Sequence, residues 1–248
     1  MTLPFDLGAG AGLWLAFAFF TAAFVRGYSG FGFSALVVAS SALVTNPVFL
    51  VPVVVVAEVA MTLMQARGVA RQIDWRRVLS MLAGAAVIMP VSITLLARVG
   101  EDQARLAISA MILLMALVLL TGWTLHRKIG VVGHAGVGMV SGFANGAAVG
   151  GLPVAAFMAA QPIPATVFRA TMVGYLTAID IVALPIMWAN GLVAQDTFVT
   201  LGLAAPFLMA GIWLGGRRFI AASPQSFRRV AIMLLIGLSV LGLARSLF

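Results

Sequence analysis

Long apolar runs, broken by short basic or glycine- and proline-containing stretches, make up almost the whole chain. Ten apolar segments can be read, near 8–25, 31–45, 48–66, 77–97, 105–123, 131–144, 146–160, 166–189, 197–216 and 229–247. A helix needs about 20 apolar residues to cross a bilayer, with a range of roughly 17–25. By that measure seven segments cross. The segments at 31–45, 131–144 and 146–160 are short, and read as tilted crossings, half-helices or re-entrant arms. A re-entrant pair and two full crossings both return the chain to its starting side, so the direction of later segments does not depend on how the 131–160 pair is built. The expected fold is all-α: a polytopic helical membrane protein of 8–10 segments.

Composition supports this and removes other classes. Hydrophobic residues make up 62% of the 248 positions and charged residues 9%. A soluble domain carries roughly 25% charged residues, so this chain could not cover a globular surface with polar groups. Its natural partner is the lipid bilayer. The net charge of +8 does not argue for nucleic acid, because the basic residues cluster between apolar runs. There is no cysteine and there are two histidines, His126 and His134, so neither thiolate chemistry nor a histidine metal site is expected. No cofactor is implied. The N-terminus lacks a basic n-region, and the first apolar run reads as a retained helix rather than a cleaved signal.

The charges also orient the chain. Arg67, Arg71, Arg76 and Arg77 crowd one loop, Arg127 and Lys128 a second, and Arg217, Arg218, Arg228 and Arg229 a third, whereas 190–196 carries no Lys or Arg. Ten crossings with both termini outside put twelve of the fifteen basic residues on or near the inner side, Arg26 and Arg169 among them. The opposite orientation inverts that ratio and conflicts with the positive-inside rule.

An internal repeat then becomes visible. Ser29-Gly30-Phe31 returns as Ser141-Gly142-Phe143. Each copy precedes a short segment of small residues, then a proline turn, then a helix with one buried acid, Glu58 or Asp180. Five segments per half is an odd number, so the halves 1–123 and 124–248 are expected to lie inverted within one membrane domain. Glycine- or proline-interrupted segments at matching places in inverted halves are a pointer to a secondary transporter with its site near the midplane. The bland alternative is close packing, since glycine-rich helices also pack tightly in any membrane bundle.

Candidate site residues follow from the two breaks. The first holds Arg26, Gly27, Tyr28, Ser29, Gly30 and Gly32. The second holds Ser141, Gly142, Asn145 and Gly146, with Gly150 and Gly151 beyond. Glycines allow an unwound backbone and a close approach to a ligand, and free N–H groups at a half-helix N-terminus favour an anion. Arg169 is a further candidate anion contact; it and Arg26 read equally as inner-surface arginines that snorkel. Glu58 and Asp180 stand deep in apolar helices, where an ionisable group is costly and by default functional. Burial there disfavours the anion, which suits a proton carrier, so both are candidate coupling residues. Glu58 shares a polar stripe with Thr62 and Gln65 at i, i+4 and i+7.

The segments GYSGFGFSALVVAS and SGFANGAAVGGLPV, with the buried-acid helices and the basic loop near 67–77, resemble the TauE/SafE family of sulfite exporters over essentially the whole chain. The resemblance implies a membrane transporter of a small sulfur-containing anion, such as sulfite or a sulfonate, in the bacterial cytoplasmic membrane. Export and proton coupling are the expected mode. A homo-oligomer is compatible with the sequence. Two rivals remain. Gly27-Tyr28-Ser29-Gly30 has the spelling of an intramembrane serine protease, which would need His134 as base within hydrogen-bond reach of Ser29. A passive anion channel is the other. No phosphate-binding loop is present, so a gradient rather than ATP is the expected driving force.

Overall fold

The computed structural model describes residues 4–125, 129–219 and the isolated positions 233, 236, 237 and 240; at 66–69, 218 and 219 only the backbone is described. His126, Arg127, Lys128, Arg228, Arg229 and most of the tenth apolar segment therefore lie outside the described residues. So do the Arg67 and Arg218 side chains. Nine α-helices are found among the described residues: α1 (Ala9–Ser29), α2 (Phe33–Ser41), α3 (Pro47–Val69), α4 (Trp75–Arg98), α5 (Glu101–Leu120), α6 (Val131–Asn145), α7 (Gly151–Ala159), α8 (Ala165–Ala189) and α9 (Gln195–Phe219). Six of them, α1, α3, α4, α5, α8 and α9, are long and apolar enough to span a bilayer. They correspond to six of the seven long segments expected from the sequence.

The three short segments become the short helices α2, α6 and α7. After α1 the chain does not continue as helix. Gly30 and Gly32 adopt φ of +84° and +89°, a region that L-residues with a Cβ avoid. They turn the backbone, and α2 runs back along α1. Phe33 meets Phe19 at 6.3 Å, and the Trp14 indole donates to Ser40 O at 3.0 Å near the opposite end of α1. The second half uses the same device. α6 stops at Asn145, a turn follows, and α7 returns until Phe157 packs edge-on to His134 at 5.2 Å. Leu125 N then donates to Ala160 O at 2.7 Å. The 131–160 pair thus ends on the side from which it started.

Two helix pairs form the tightest contacts, and glycine explains both. Against α9, a Cβ on Gly27 would strike Ile212 O. On α9, Cβ atoms at Gly211 and Gly215 would strike Phe20 O and Phe24 O. Against α4, Cβ atoms at Gly138, Gly142 and Gly146 would strike Met81 O, Ala85 O and the Ser92 side chain. The register rises together in each pair, so α1 runs parallel to α9, and α6 parallel to α4. With little gained by burying apolar surface inside a lipid, small residues and close backbone approach are what hold such helices. Ser92 Oγ adds a hydrogen bond to Phe143 O across the second pair.

Contacts also sort the helix ends. Phe5 N donates to Asp196 Oδ2 (2.9 Å), the Phe5 ring stacks on Phe49, and Arg105 reaches Thr45 O (3.3 Å), which gathers one end of the bundle. At the other end Asp74 N donates to Thr171 Oγ1 (3.0 Å), beside the basic start of α4. Asp74 also caps α4 by accepting from Arg77 N at 3.2 Å. Large apolar side chains such as Leu13, Phe17, Leu79, Val87, Leu114 and Trp188 face outward, as a bilayer requires.

One expectation needs correction. Ser29-Gly30-Phe31 and Ser141-Gly142-Phe143 do not occupy equivalent places. The first lies at the break itself, where α1 ends at Ser29. The second lies inside α6, a turn before its end at Asn145. The reason is packing: Gly142 is needed against Ala85 on α4, so the helix continues through the motif and unwinds only near Gly146–Gly150.

A buried polar cluster between the two helix breaks

The helices that carry the breaks, α1 and α6, meet the acid-bearing helices α3 and α8 in the interior. Glu58 lies eleven residues after the first residue of α3, and Asp180 fifteen after that of α8. At 1.5 Å per residue these lie about 16 and 22 Å along their helices, near the middle of each.

Arg26 is the hub. Its side chain is fully buried, yet it stands in the last turn of α1, where a surface arginine was equally expected from sequence. Its Nη1 lies 3.0 Å from Glu58 Oε1, and Glu58 is 2% exposed. Its Nη2 donates to Thr62 Oγ1 at 2.9 Å and more weakly to Glu58 O at 3.4 Å. Thr62 Oγ1 is joined to Thr177 Oγ1 of α8 at 2.7 Å, so the polar stripe of α3 links α1 to α8. Gln65, further along that stripe, has a buried Oε1 without a hydrogen-bond partner.

Asp180 enters the cluster from α8. It is buried beside Glu58 and Asn145 and in the field of Arg26. Neither Asp180 Oδ2 nor Asn145 Nδ2 has a partner at hydrogen-bond geometry. A buried polar atom left so is expensive. Asp180, Asn145 and Glu58 face one another beside the buried cation, a polar cluster whose hydrogen bonds are not all closed. Asn145 is the last residue of α6, so the second break delivers it.

The remaining candidates divide. Ser141 is fully buried and donates to Gly150 O at 2.6 Å, while the Tyr175 hydroxyl donates to Ser141 Oγ at 2.7 Å. Tyr175 of α8 therefore ties down the second break, and sequence reading missed it because an isolated Tyr in an apolar helix gives no signal. Ser29 is spent locally, with its hydroxyl between Val25 O (2.8 Å) and Phe31 O (2.9 Å). Tyr28 is buried. Gly27, Gly142 and Gly146 face neighbouring helices, whereas Gly30 and Gly32 make the turn. Arg169 reaches the first break. Its Nη2 donates to Gly27 O at 2.6 Å and its stem covers Gly30. A cation at the C-terminal carbonyls of α1 also matches the helix dipole. Phe168 adds an edge contact to Phe31 at 6.0 Å, so the first turn of α8 clamps the first break.

The serine–histidine pairing is not assembled. His134 Nδ1 is engaged with Gly130 O at 2.9 Å, and Ser29 with its own segment, so neither hydrogen-bonds the other.

Comparison with curated proteins and with solved structures returned no match. Comparison with protein families did: the sulfite exporter TauE/SafE family matches residues 15–241, nearly the whole chain. All six long apolar helices, apart from the first residues of α1, lie within that range with the two breaks and the buried charges, and the chain belongs to the TauE/SafE family of sulfite exporters.

Proposed function

We propose that this protein is a secondary transporter that exports a small sulfur-containing anion, such as sulfite or a sulfonate, across the bacterial cytoplasmic membrane by alternating access. The observation that carries this reading is the fully buried Arg26 between the two helix breaks, with the buried Asn145 amide beside Asp180 in the same cluster. A buried guanidinium presents fixed donors to an oxyanion, and the amide adds another. Glu58 and Asp180 serve as the coupling carboxyls: an acid inside the membrane beside the site carries a proton with the transport cycle.

Residues 1–123 and 124–248 act as two inverted repeats that rock about this site. The mirrored pairings support that reading: α1 packs on α9 as α6 packs on α4, each through glycines, and each of α1 and α6 is followed by a break and a short returning helix. Both termini lie outside, with the basic loops in the cytoplasm.

The deciding experiment is a thermal-shift and binding screen of the purified protein with sulfite, sulfonates, sulfate and thiosulfate. Stabilisation by sulfite or a sulfonate, lost in Arg26→Gln, is expected. Stabilisation by none of them, or one that is indifferent to Arg26, contradicts the proposal.

A further inference from the structure

We infer that Glu58 is an internal stand-in for the transported anion: its carboxylate occupies the place on Arg26 that the substrate takes, and binding proceeds by displacing it. This deepens, and rests on, the reading of Arg26 as the anion contact.

Four observations lead here. Arg26 is fully buried, and the carboxylate facing its Nη1 is Glu58 at 3.0 Å. An anion cannot pair with that face while Glu58 holds it. Beside Glu58 stand Asp180 and Asn145, both buried, with the Asp180 carboxyl facing the Glu58 carboxyl and the Asn145 amide, and neither Asp180 Oδ2 nor Asn145 Nδ2 closes a hydrogen bond of good geometry. A displaced Glu58 carboxylate can be received by the Asn145 N–H donors, and by the Asp180 carboxyl when that carries a proton. Thr62, itself tied to Thr177, accepts from the other edge of the guanidinium independently of the Glu58 carboxylate, so Arg26 stays in place during the exchange. Finally, an uncompensated buried cation is costly. A carrier that must return empty across the membrane therefore needs a counter-charge of its own, and Glu58 supplies one.

The groups facing this exchange are Arg26 from α1, Glu58 and Thr62 from α3, Asn145 from α6, and Asp180, Thr177 and Tyr175 from α8. Asp180 is near enough to replace Glu58 as counter-charge, so the test includes both acids.

The test uses the full-length protein in liposomes with sulfite and methanesulfonate as probes. Affinity, net efflux into anion-free buffer, and anion-for-anion exchange are measured for wild type, Glu58→Gln and Glu58→Gln/Asp180→Asn. Removing a competitor raises affinity, and removing the counter-charge of the empty carrier slows its return. The inference predicts affinity about tenfold tighter, and a ratio of exchange to net efflux about tenfold higher, in line with ordinary coupling between sites. The double variant shows at least the same change. Weaker binding in both variants, or exchange and net efflux falling in parallel, overturns it.

A second measurement avoids the variants' folding. Glu58 and Glu101 are the two glutamates of the chain. Infrared difference spectra of glutamate-labelled protein carrying Glu101→Gln report Glu58 alone. Its carboxyl band shifts when sulfite binds if it is displaced from Arg26, and an unchanged band overturns the inference. If wild type binds neither probe, the anion-transport reading itself falls and takes this inference with it, a result distinct from variants that fail to separate exchange from efflux.

Discussion

Arg26 and Glu58 form an ion pair at 3.0 Å with essentially no solvent access to either side chain. Removing one member of such a pair costs about 3–5 kcal/mol, because the other charge stays buried alone, whereas replacing both by apolar residues is often neutral. Arg26→Met should therefore lower thermal stability in detergent more than Arg26→Met/Glu58→Met does. Additive losses in a double-mutant cycle would show that the pair is not coupled.

Glycine substitutions should separate packing positions from open ones. A Cβ at Gly84, Gly138 or Gly215 would strike a carbonyl of the facing helix, while Gly136 and Gly202 have open space. Alanine at the first three should destabilise by about 1–3 kcal/mol each through overpacking. Alanine at Gly136 or Gly202 should stay within about 0.5 kcal/mol of wild type. Unfolding midpoints in a common detergent check the contrast.

The first break offers a finer comparison. Gly30 and Gly32 both hold positive φ, but a Cβ on Gly30 would also meet the Arg169 stem and carbonyl at 2.9 Å, whereas Gly32 faces Val25 at 3.6 Å. Alanine at Gly32 should cost about 1–2 kcal/mol of backbone strain. Gly30→Ala should cost more, with the loss of the Arg169 clamp on Gly27 O. Equal stabilities for the two variants would remove the clamp from the account.

At the second break, Tyr175→Phe removes one donor to Ser141 and should cost roughly 1 kcal/mol. Ser141→Ala should cost more, since it leaves Gly150 O without its donor and the buried Tyr175 hydroxyl without its acceptor. The order of the two melting temperatures is the check.

Much of this was legible in the sequence, for specific reasons. Apolar run length placed the six long helices, because the bilayer sets that length. Glu58 and Asp180 stood out because an acid in such a run is rare. The partners of those acids were harder to see. Arg26 lies at a helix end, where charge alone reads as a topology signal, and only the fold brings it onto Glu58. The glycines divided in a way that spacing cannot show. Gly27 and Gly142 serve helix contacts, and Gly30 and Gly32 serve the turn, because the neighbouring helix decides which is which. Tyr175 and Thr177 act across helices distant in sequence, where no local pattern announces them, and Arg169, a candidate by its charge, meets Gly27 O only through the fold. Ser29 satisfies its own backbone break, which a serine between glycines does as readily as it binds a ligand.

The central claim is that the buried guanidinium of Arg26 is where the anion binds. Counterflow of radiolabelled sulfite into liposomes holding purified wild type, Arg26→Gln or Arg26→Lys tests it most directly, with folding checked by melting temperature. The account predicts saturable sulfite uptake by wild type. In folded Arg26→Gln that uptake should fall by at least about tenfold, the scale of one lost charge-assisted contact, with partial recovery in Arg26→Lys. Wild-type affinity and rate in folded Arg26→Gln would contradict it.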